Sequence, residues 1–206
     1  MLVTTSCSSS EAPAAADDRL CDISSGSPEE KLLRQVIRTP EFETRIDNRD
    51  QRFVEKMEDG LRAQPEGSSA SPVLACSYAP KASSNEGRAN VEFTWSPTAE
   101  AESGGGEKGT RSYQPSASAT GTSDDVSADL FVQCRLPGDL NARSKKVLLH
   151  AQAAYTVNLG AVQDHGTQDQ QMAFLYYMAR KATEVLGCEN QPLAEEPVVK
   201  PLSTEQ

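Results

Sequence analysis

The clearest apolar pattern in the chain lies near its C-terminal end, between Gln168 and Cys188. Thr167 with Gln170 has the form of a capping box at its start, and Gly187 supplies the left-handed residue that commonly ends a helix. Between these signals, apolar residues recur at alternating steps of three and four, which is one face of an α-helix: Met172, Leu175, Ala179, Ala182 and Leu186. The pattern predicts a long C-terminal helix whose apolar stripe faces the core.

Two further helices are predicted nearer the N-terminal end. Ser27 is placed as an N-cap, with Pro28 at the first helical position and Glu30 at the third. The Thr39-Pro40 pair ends that helix, because a residue before proline disfavours the α conformation. A second helix is predicted over 41–63, with a sparse apolar seam and charged residues on its other faces. Such charge is typical of a solvated helix surface.

Between residues 73 and 157 the pattern changes to the period-two alternation of strands. It predicts four strands, over 73–78, 90–96, 128–136 and 147–157. A run of helices followed by a run of strands favours an α+β fold. We therefore expect an antiparallel sheet of about four strands, with the N-terminal helices and the long C-terminal helix packed on it.

The remaining segments are poor in apolar residues and divide the chain. Residues 1–19 are expected to form a disordered tether, and residues 193–206 a loose tail. Residues 20–192 then form a single domain. Within it, residues 97–127 consist mostly of Ser, Thr, Gly, Ala, Pro and charged residues, which predicts a disordered insertion. The Gly-rich run 104–110 lacks the Gly-Lys-Ser/Thr order and the strand-to-helix context of a phosphate-binding loop.

Composition and charge narrow the possible partners and cofactors. The chain has 206 residues, of which 37% are hydrophobic, so we expect a modest core. A net charge of −10 argues against a nucleic-acid partner, because phosphate binding depends on clustered Lys and Arg. The sequence contains no apolar run long enough for a transmembrane helix and no recognisable metal or cofactor motif.

Five cysteines are spread along the chain, and none of them is paired as Cys-x-x-Cys. This spacing does not support a zinc knuckle or a thioredoxin-type redox site. Four of them flank or lie in predicted elements, whereas Cys7 stands apart in the tether. Four cysteines near ordered elements and one apart favour two disulfides and one unpaired cysteine. Because disulfides persist mainly in oxidising compartments, this predicts a protein outside the cytosol.

Cys7 has an explanation of its own. Aliphatic and small residues precede it and a Ser-rich stretch follows it, as in the cleavage region of a bacterial lipoprotein. The three residues Met-Leu-Val are too short for a signal peptide, so we expect the coding sequence to begin upstream of Met1. The alternative is an ordinary, unmodified N-terminal segment.

Taken together, these features resemble the small secreted lipoproteins of high-GC actinobacteria, Streptomyces above all. The features are the lipoprotein-like Cys7, the Leu20-Cys21-Asp22 sequence before a Ser-Pro-Glu-Glu helix start, Cys76 in a strand and a final Leu-Gly-Cys. The resemblance covers roughly residues 7–192. It implies a lipid-anchored protein on the extracellular face of the cell membrane, without implying a reaction.

Four cysteines permit three disulfide connectivities. We favour Cys21 with Cys76, which would join the start of the first helix to the first predicted strand. We also favour Cys134 with Cys188, which would join a strand to the end of the helix that covers it. Each bond would close a loop of some fifty residues and contribute about 4 kcal/mol in the chain-entropy model. The alternative of Cys21 with Cys188 and Cys76 with Cys134 remains open.

Candidate catalytic chemistry is sparse. His150 is expected on the outward face of the last strand, where a solvated or cross-strand role is common, and His165 follows Asp164 in a predicted loop. Asp164 could orient His165 as a base, but the sequence contains no nucleophile elbow and no His-Glu-x-x-His motif. We therefore expect a protein that is not an enzyme.

Two hypotheses for a function without catalysis remain. In the first, the protein is a binding module that recognises an envelope protein or a wall component, through the exposed sheet face or the acidic second helix. In the second, a small ligand binds between the sheet and the helices. Four aromatic residues are candidate walls of such a pocket, although amphipathic aromatics more commonly belong to a core or its rim: Trp95, Tyr155, Tyr176 and Tyr177.

Cys7→Ala should release the protein from the membrane. If the Cys7 thiol carries the lipid, the wild-type protein will incorporate a fatty-acid analogue and sediment with membranes, whereas the variant will do neither. Metabolic labelling and membrane fractionation measure both effects. An in-frame stop codon just upstream of the coding sequence, together with an intact Met1 on the purified protein, would contradict the prediction.

Overall fold

The computed structural model describes residues 20–47, 49–81, 87–103, 109–156 and 165–202. Cys7 and the predicted tether lie outside these residues. The described part is an α+β fold with two disulfides, which confirms the predicted class. Within these ranges, no helix has both the length and the hydropathy needed to cross a bilayer.

In these described ranges, seven antiparallel strands form one sheet in the order β1-β2-β3-β7-β6-β5-β4. The strands are β1 (Phe42–Asp47), β2 (Val73–Pro80), β3 (Arg88–Pro97), β4 (Arg111–Ser116), β5 (Ala119–Ser123), β6 (Ser127–Val132) and β7 (Val147–Thr156). The helices are α1 (Pro28–Ile37), α2 (Asp50–Ala63), α3 (Thr98–Ser103), α4 (Asn141–Ser144) and α5 (His165–Val185). The four predicted strands correspond to β2, β3, β6 and β7, which form the central part of the sheet.

Helix α1 begins as the sequence predicts. The Ser27 hydroxyl accepts a hydrogen bond from the backbone N–H of Glu30, and Pro28 is the first helical residue. The Glu30 carboxylate in turn accepts from the backbone N–H of Gly26, so two N–H groups at the helix start are satisfied. Arg38, in the left-handed conformation, ends the helix one residue before Thr39.

The five stripe residues predicted for the C-terminal helix are all buried: four lie in α5, and Leu186 directly follows its last residue. Phe174, Tyr176 and Met178, which lie off the stripe, are also fully buried. The helix is therefore enclosed on most of its circumference, because α1 and the C-terminal segment pack on it beside the sheet. The predicted cap was wrong: α5 already begins at His165, so Thr167 lies within the first turn and is not the N-cap.

The long helices all cover the same face of the sheet. On β3, Val91, Phe93 and Trp95 are fully buried and alternate with partly exposed polar residues. The Phe93 ring packs edge-on against Phe53 of α2 at 5.3 Å between centroids, and the Trp95 Nε1–H donates to the Met57 carbonyl at 2.8 Å. In the register, Phe93 and Trp95 face Ala151 and Leu149 of β7, which are buried beside α5.

The sheet has three more strands than predicted, and β1 is the first of them. The expected second helix over 41–63 was wrong for its first part, because Phe42–Asp47 pairs with β2 and the helix begins only at Asp50. Phe42 and Ile46 lie four residues apart, a spacing that fits one face of a helix. In β1 a bulge between Thr44 and Ile46 pairs Ile46 with Ser77, and Ile46 is 39% exposed. In the strand, Phe42 packs edge-on against Tyr78 at 5.9 Å.

The expectation of a disordered insertion over 97–127 was also wrong for the described part of that segment. Residues 98–103 form α3, and residues 111–123 form β4 and β5, which extend the sheet beyond β6. Polar contacts with α5 hold these strands: the Ser123 hydroxyl donates to the Gln171 side chain at 2.8 Å, and the Tyr113 hydroxyl donates to Asp169 at 2.7 Å. The low apolar content of this segment led to the wrong prediction, because small and polar residues make these contacts.

The C-terminal segment 193–202 is ordered, in contrast to the loose tail predicted for 193–206. Leu193 is 1% exposed, and the Tyr176 hydroxyl donates to the Glu195 carbonyl at 2.8 Å. Further on, Pro201 forms a bridge with Tyr113, and the Leu202 N–H donates to the Ser112 carbonyl of β4 at 2.8 Å. The segment therefore covers an edge strand that would otherwise present unpaired backbone groups.

The disulfides join Cys21 to Cys76 and Cys134 to Cys188, the pairing favoured in the sequence analysis. The Cα–Cα distances are 5.5 Å and 5.2 Å, and all four cysteines are buried. The first bond ties the segment before α1 to β2. The second ties the segment after β6 to the end of α5. Each bond thus connects the helical layer with the sheet.

Replacing Leu193 with Ala should destabilise the fold, because the side chain is buried in the core. The expected loss is about 2 kcal/mol, or a Tm lower by about 4–8 °C. Leu202→Ala is the matched control: this residue is 50% exposed in the same segment, and its truncation should change stability by less than about 0.5 kcal/mol. Thermal denaturation measures both. Equal, small effects would show that the segment does not pack.

Candidate functional site

The face of the sheet opposite the helices is polar and accessible over its central strands. Its residues are the outward members of the period-two alternation on β3, β7 and β6, and most are partly exposed. We call this surface the open face; its central residues are Asn90, Glu92, Thr94, Asp129, Phe131, His150, Gln152 and Ala154. Strands are rigid supports, so these side chains are held in fixed relative positions.

A hydrogen-bonded cluster occupies the middle of the open face, where β6 meets β7. His150 Nε2 lies 2.8 Å from Asp129 Oδ1, and the Gln152 side-chain amide donates to the same oxygen at 2.9 Å. Phe131 stacks on the His150 ring, with centroids 4.3 Å apart and an interplanar angle of 12°. The register explains the contact, because Phe131 pairs directly with His150 and Asp129 with Gln152. One carboxylate thus fixes two neighbouring side chains.

This cluster gives His150 the cross-strand role that the sequence analysis expected to be common. An imidazole oriented by a carboxylate can act as a base when a nucleophile lies within reach. The residue opposite His150 on β3 is Thr94, whose hydroxyl donates to the Ala70 carbonyl at 2.8 Å. The proton of that hydroxyl is therefore already donated to a bond within the fold. The arrangement is suited to presenting hydrogen-bonding groups to a partner.

The polar surface continues from β3 to β2. The Ser77 hydroxyl donates to the Asn90 side-chain oxygen at 2.7 Å, and these two residues are paired in the register. Glu92 lies next to Gln152 on one side and to Leu74 on the other. Side-chain polarity therefore extends across four adjacent strands, β2, β3, β7 and β6.

His165, the second histidine, is the first residue of α5, so it does not lie in the predicted loop. Asp164 and the side chain of His165 fall outside the described residues. Among those that are described, no three His, Cys, Asp or Glu side chains come close enough together to hold a metal ion.

The four aromatic residues considered as pocket walls are packed in the protein. Trp95 and Tyr176 are fully buried, and Tyr155 and Tyr177 are 4% and 8% exposed. The Tyr155 hydroxyl donates to the Gln171 carbonyl at 3.3 Å, and the Tyr177 hydroxyl donates to Glu196 at 2.6 Å. Their polar atoms thus have partners within the chain, as expected of core and rim aromatics.

Electrostatics support a structural role for the tyrosines of the helical layer. Burial, reinforced by the hydrogen bond to Glu196, raises the pKa of Tyr177 to about 12. The same bond lowers the pKa of the Glu196 carboxyl. Burial also raises the pKa of Tyr155 and of Tyr176 above the usual value for a phenol. These phenols therefore remain protonated near neutral pH, and each acts as a hydrogen-bond donor that fixes its surroundings.

The charged surface of α2 was the other candidate for a binding surface. Arg62 pairs with Glu58 at 3.1 Å and with Asp59 at 3.5 Å, and it also lies 3.6 Å from Asp139. Gln51 donates to Glu55 one turn further on, at 3.0 Å. Such pairs along an exposed helix are ordinary solvated contacts of small energy, so α2 is the weaker candidate.

Sequence reasoning placed His150 on the outward face but did not single out Asp129. Period two could have placed Asp129 on the same face as Phe131, yet nothing local pairs it with a histidine 21 positions away. The pairing depends on the register between β6 and β7, which the sequence does not specify.

Comparison of the chain with protein-family models, with curated proteins and with solved structures finds no match.

Proposed function

We propose that the protein is a non-catalytic binding module of the cell envelope whose open face engages an envelope protein or a wall component. The observation that carries the proposal is the one-sided packing of the sheet. The helices cover one face, while the other carries two hydrogen-bonded polar clusters, one between β2 and β3 and one between β7 and β6. A solvated face could be built from unconnected polar side chains; here Asp129 holds His150 and Gln152, and Ser77 is bonded to Asn90.

The shape and chemistry of the open face suit a large partner. Pairing along strands places its side chains in a broad array and not in a deep cleft, whereas small-molecule sites are concave and mostly apolar. The cluster offers carboxylate, amide and imidazole groups beside one aromatic ring, Phe131, which is 9% exposed. Such preorganised polar groups lose little conformational entropy when a partner binds.

In this proposal, a lipid on Cys7 holds the module at the extracellular face of the membrane. Cys7 precedes Leu20, the first described residue, by 13 positions. Even fully extended, this length would reach at most about 45 Å, so the module would operate close to the membrane surface. Two buried disulfides are compatible with an oxidising compartment of this kind.

A charge placed at the centre of the open face tests the proposal. Ala154→Arg adds a bulky cation at an exposed position of β7 beside the polar cluster, and it should reduce binding to an envelope fraction of the source organism at least tenfold. The control is Ala194→Arg, the same substitution at an exposed position on the helical side. Co-sedimentation with purified wall material and pull-down from solubilised membranes measure binding.

The result expected is loss of binding in Ala154→Arg alone, with unchanged Tm in both variants. Binding that survives Ala154→Arg, or that is lost equally in Ala194→Arg, would place the contact elsewhere and contradict the proposal. Turnover of any wall component by the wild-type protein would contradict its non-catalytic character.

A further inference from the structure

A pocket of about 520 Å³ opens at the end of the sheet where β3 stops and β7 begins. Its apolar lining comes from Leu61 of α2 and from Pro97 and Val147, which pair with each other in the register. Leu61 is 1% exposed and Val147 packs against the core. The volume lies within the range of pockets that hold small organic ligands.

Part of the pocket wall is formed by the loop that follows α2, through residues 64–67. The Gln64 side chain lines the pocket and donates to the carbonyl of Trp95 at 3.3 Å and to that of Ser68. The bond to Trp95 attaches the loop to the end of β3, and the bond to Ser68 holds the loop to itself. The pocket is therefore supported by the sheet and is not merely a gap between surface side chains.

The mouth of the pocket is basic, although the chain as a whole carries a net charge of −10. Arg143 and Lys146 both line it, and Glu66 is the acidic residue among its lining. Lys146 Nζ lies 3.9 Å from the Glu66 carboxylate, but these side chains are 74% and 94% exposed, so the pair is weak. The lining thus has two cations for one anion.

Arg143 is held in place while retaining donors. Its Nη1 donates to the Leu61 carbonyl at 3.3 Å and to the Arg62 carbonyl at 3.0 Å, at the end of α2. Both described bonds use Nη1, and a guanidinium carries five N–H donors in a fixed plane. The group is therefore positioned by the fold, with further donors able to meet a carboxylate.

We propose that this basic pocket binds a small carboxylate with an apolar body. The apolar part would cover Leu61, Pro97 and Val147, and the carboxylate would lie between Arg143 and Lys146 at the mouth. The apolar lining disfavours a wholly polar ligand, and the net positive charge at the mouth disfavours a cationic one. The site is separate from the function proposed for the open face and does not depend on it.

Octanoate is the probe, and isothermal titration calorimetry on the full chain is the measurement. We expect a Kd of about 1 mM or tighter, weakened by high salt because the ion pair is exposed. Octyltrimethylammonium, which has the same alkyl chain and the opposite charge, should give no binding heat. NMR shifts confined to the pocket residues, such as Gly67 and Val147, would locate the ligand.

Two variants and a matched control complete the test. Lys146→Glu should weaken octanoate binding about fivefold or more. Lys145→Glu makes the same charge change at the neighbouring exposed residue, which does not line the pocket, and should change the Kd less than about twofold. Ala99→Trp places a large ring on the pocket wall and should abolish binding without lowering Tm.

The proposal is overturned if octanoate gives neither heat nor shifts in the wild-type protein. It is equally overturned if octyltrimethylammonium binds as well as octanoate, or if Lys145→Glu weakens binding as much as Lys146→Glu. Because Lys145, Lys146 and Ala99 are exposed, their variants should fold, and the Tm of each verifies this.

Discussion

The structure depends on burying one face of a seven-stranded antiparallel sheet under helices. Every inward position of the central strands is apolar, as in Val91, Phe93 and Trp95 on β3, and these side chains meet α2 and α5. Because successive residues of a strand point to opposite faces, this burial leaves the alternate positions on the other side. The open face therefore follows directly from how the core is built. Its side chains are polar, whereas a face buried under a second layer would be apolar.

The helical layer is fastened to the sheet at several separate places. Cys21–Cys76 and Cys134–Cys188 act at the segment before α1 and at the end of α5. The outer strands β4 and β5 bury few large apolar side chains and are held through the side chains of Asp169 and Gln171. The C-terminal segment then covers the β4 edge. These contacts add to the burial of the core in holding the helical layer and the outer strands to the sheet.

The sequence predicted the elements that are specified locally. The α1 cap, the α5 stripe and the central strands depend on spacings within a few residues, so pattern was sufficient. β1 was misread because the spacing of Phe42 and Ile46 fits a helix, whereas a bulge in the strand places Ile46 opposite Ser77. β4 and β5 were missed because Ser123 and Tyr113 gain their partners on α5, 48 and 56 positions away. The Asp129–His150 contact could not be found for a similar reason, since it requires the register between strands.

The most direct test of one-sided packing compares two adjacent alanines of β7. Ala153 is 0% exposed beneath the helical layer, and Ala154 is exposed on the open face. In a Cys7→Ser background, each is changed to Cys, and reaction with a maleimide is followed in the native protein. The Ala154→Cys thiol should react within minutes, and the Ala153→Cys thiol only after unfolding. Similar native rates at the two positions would contradict the account.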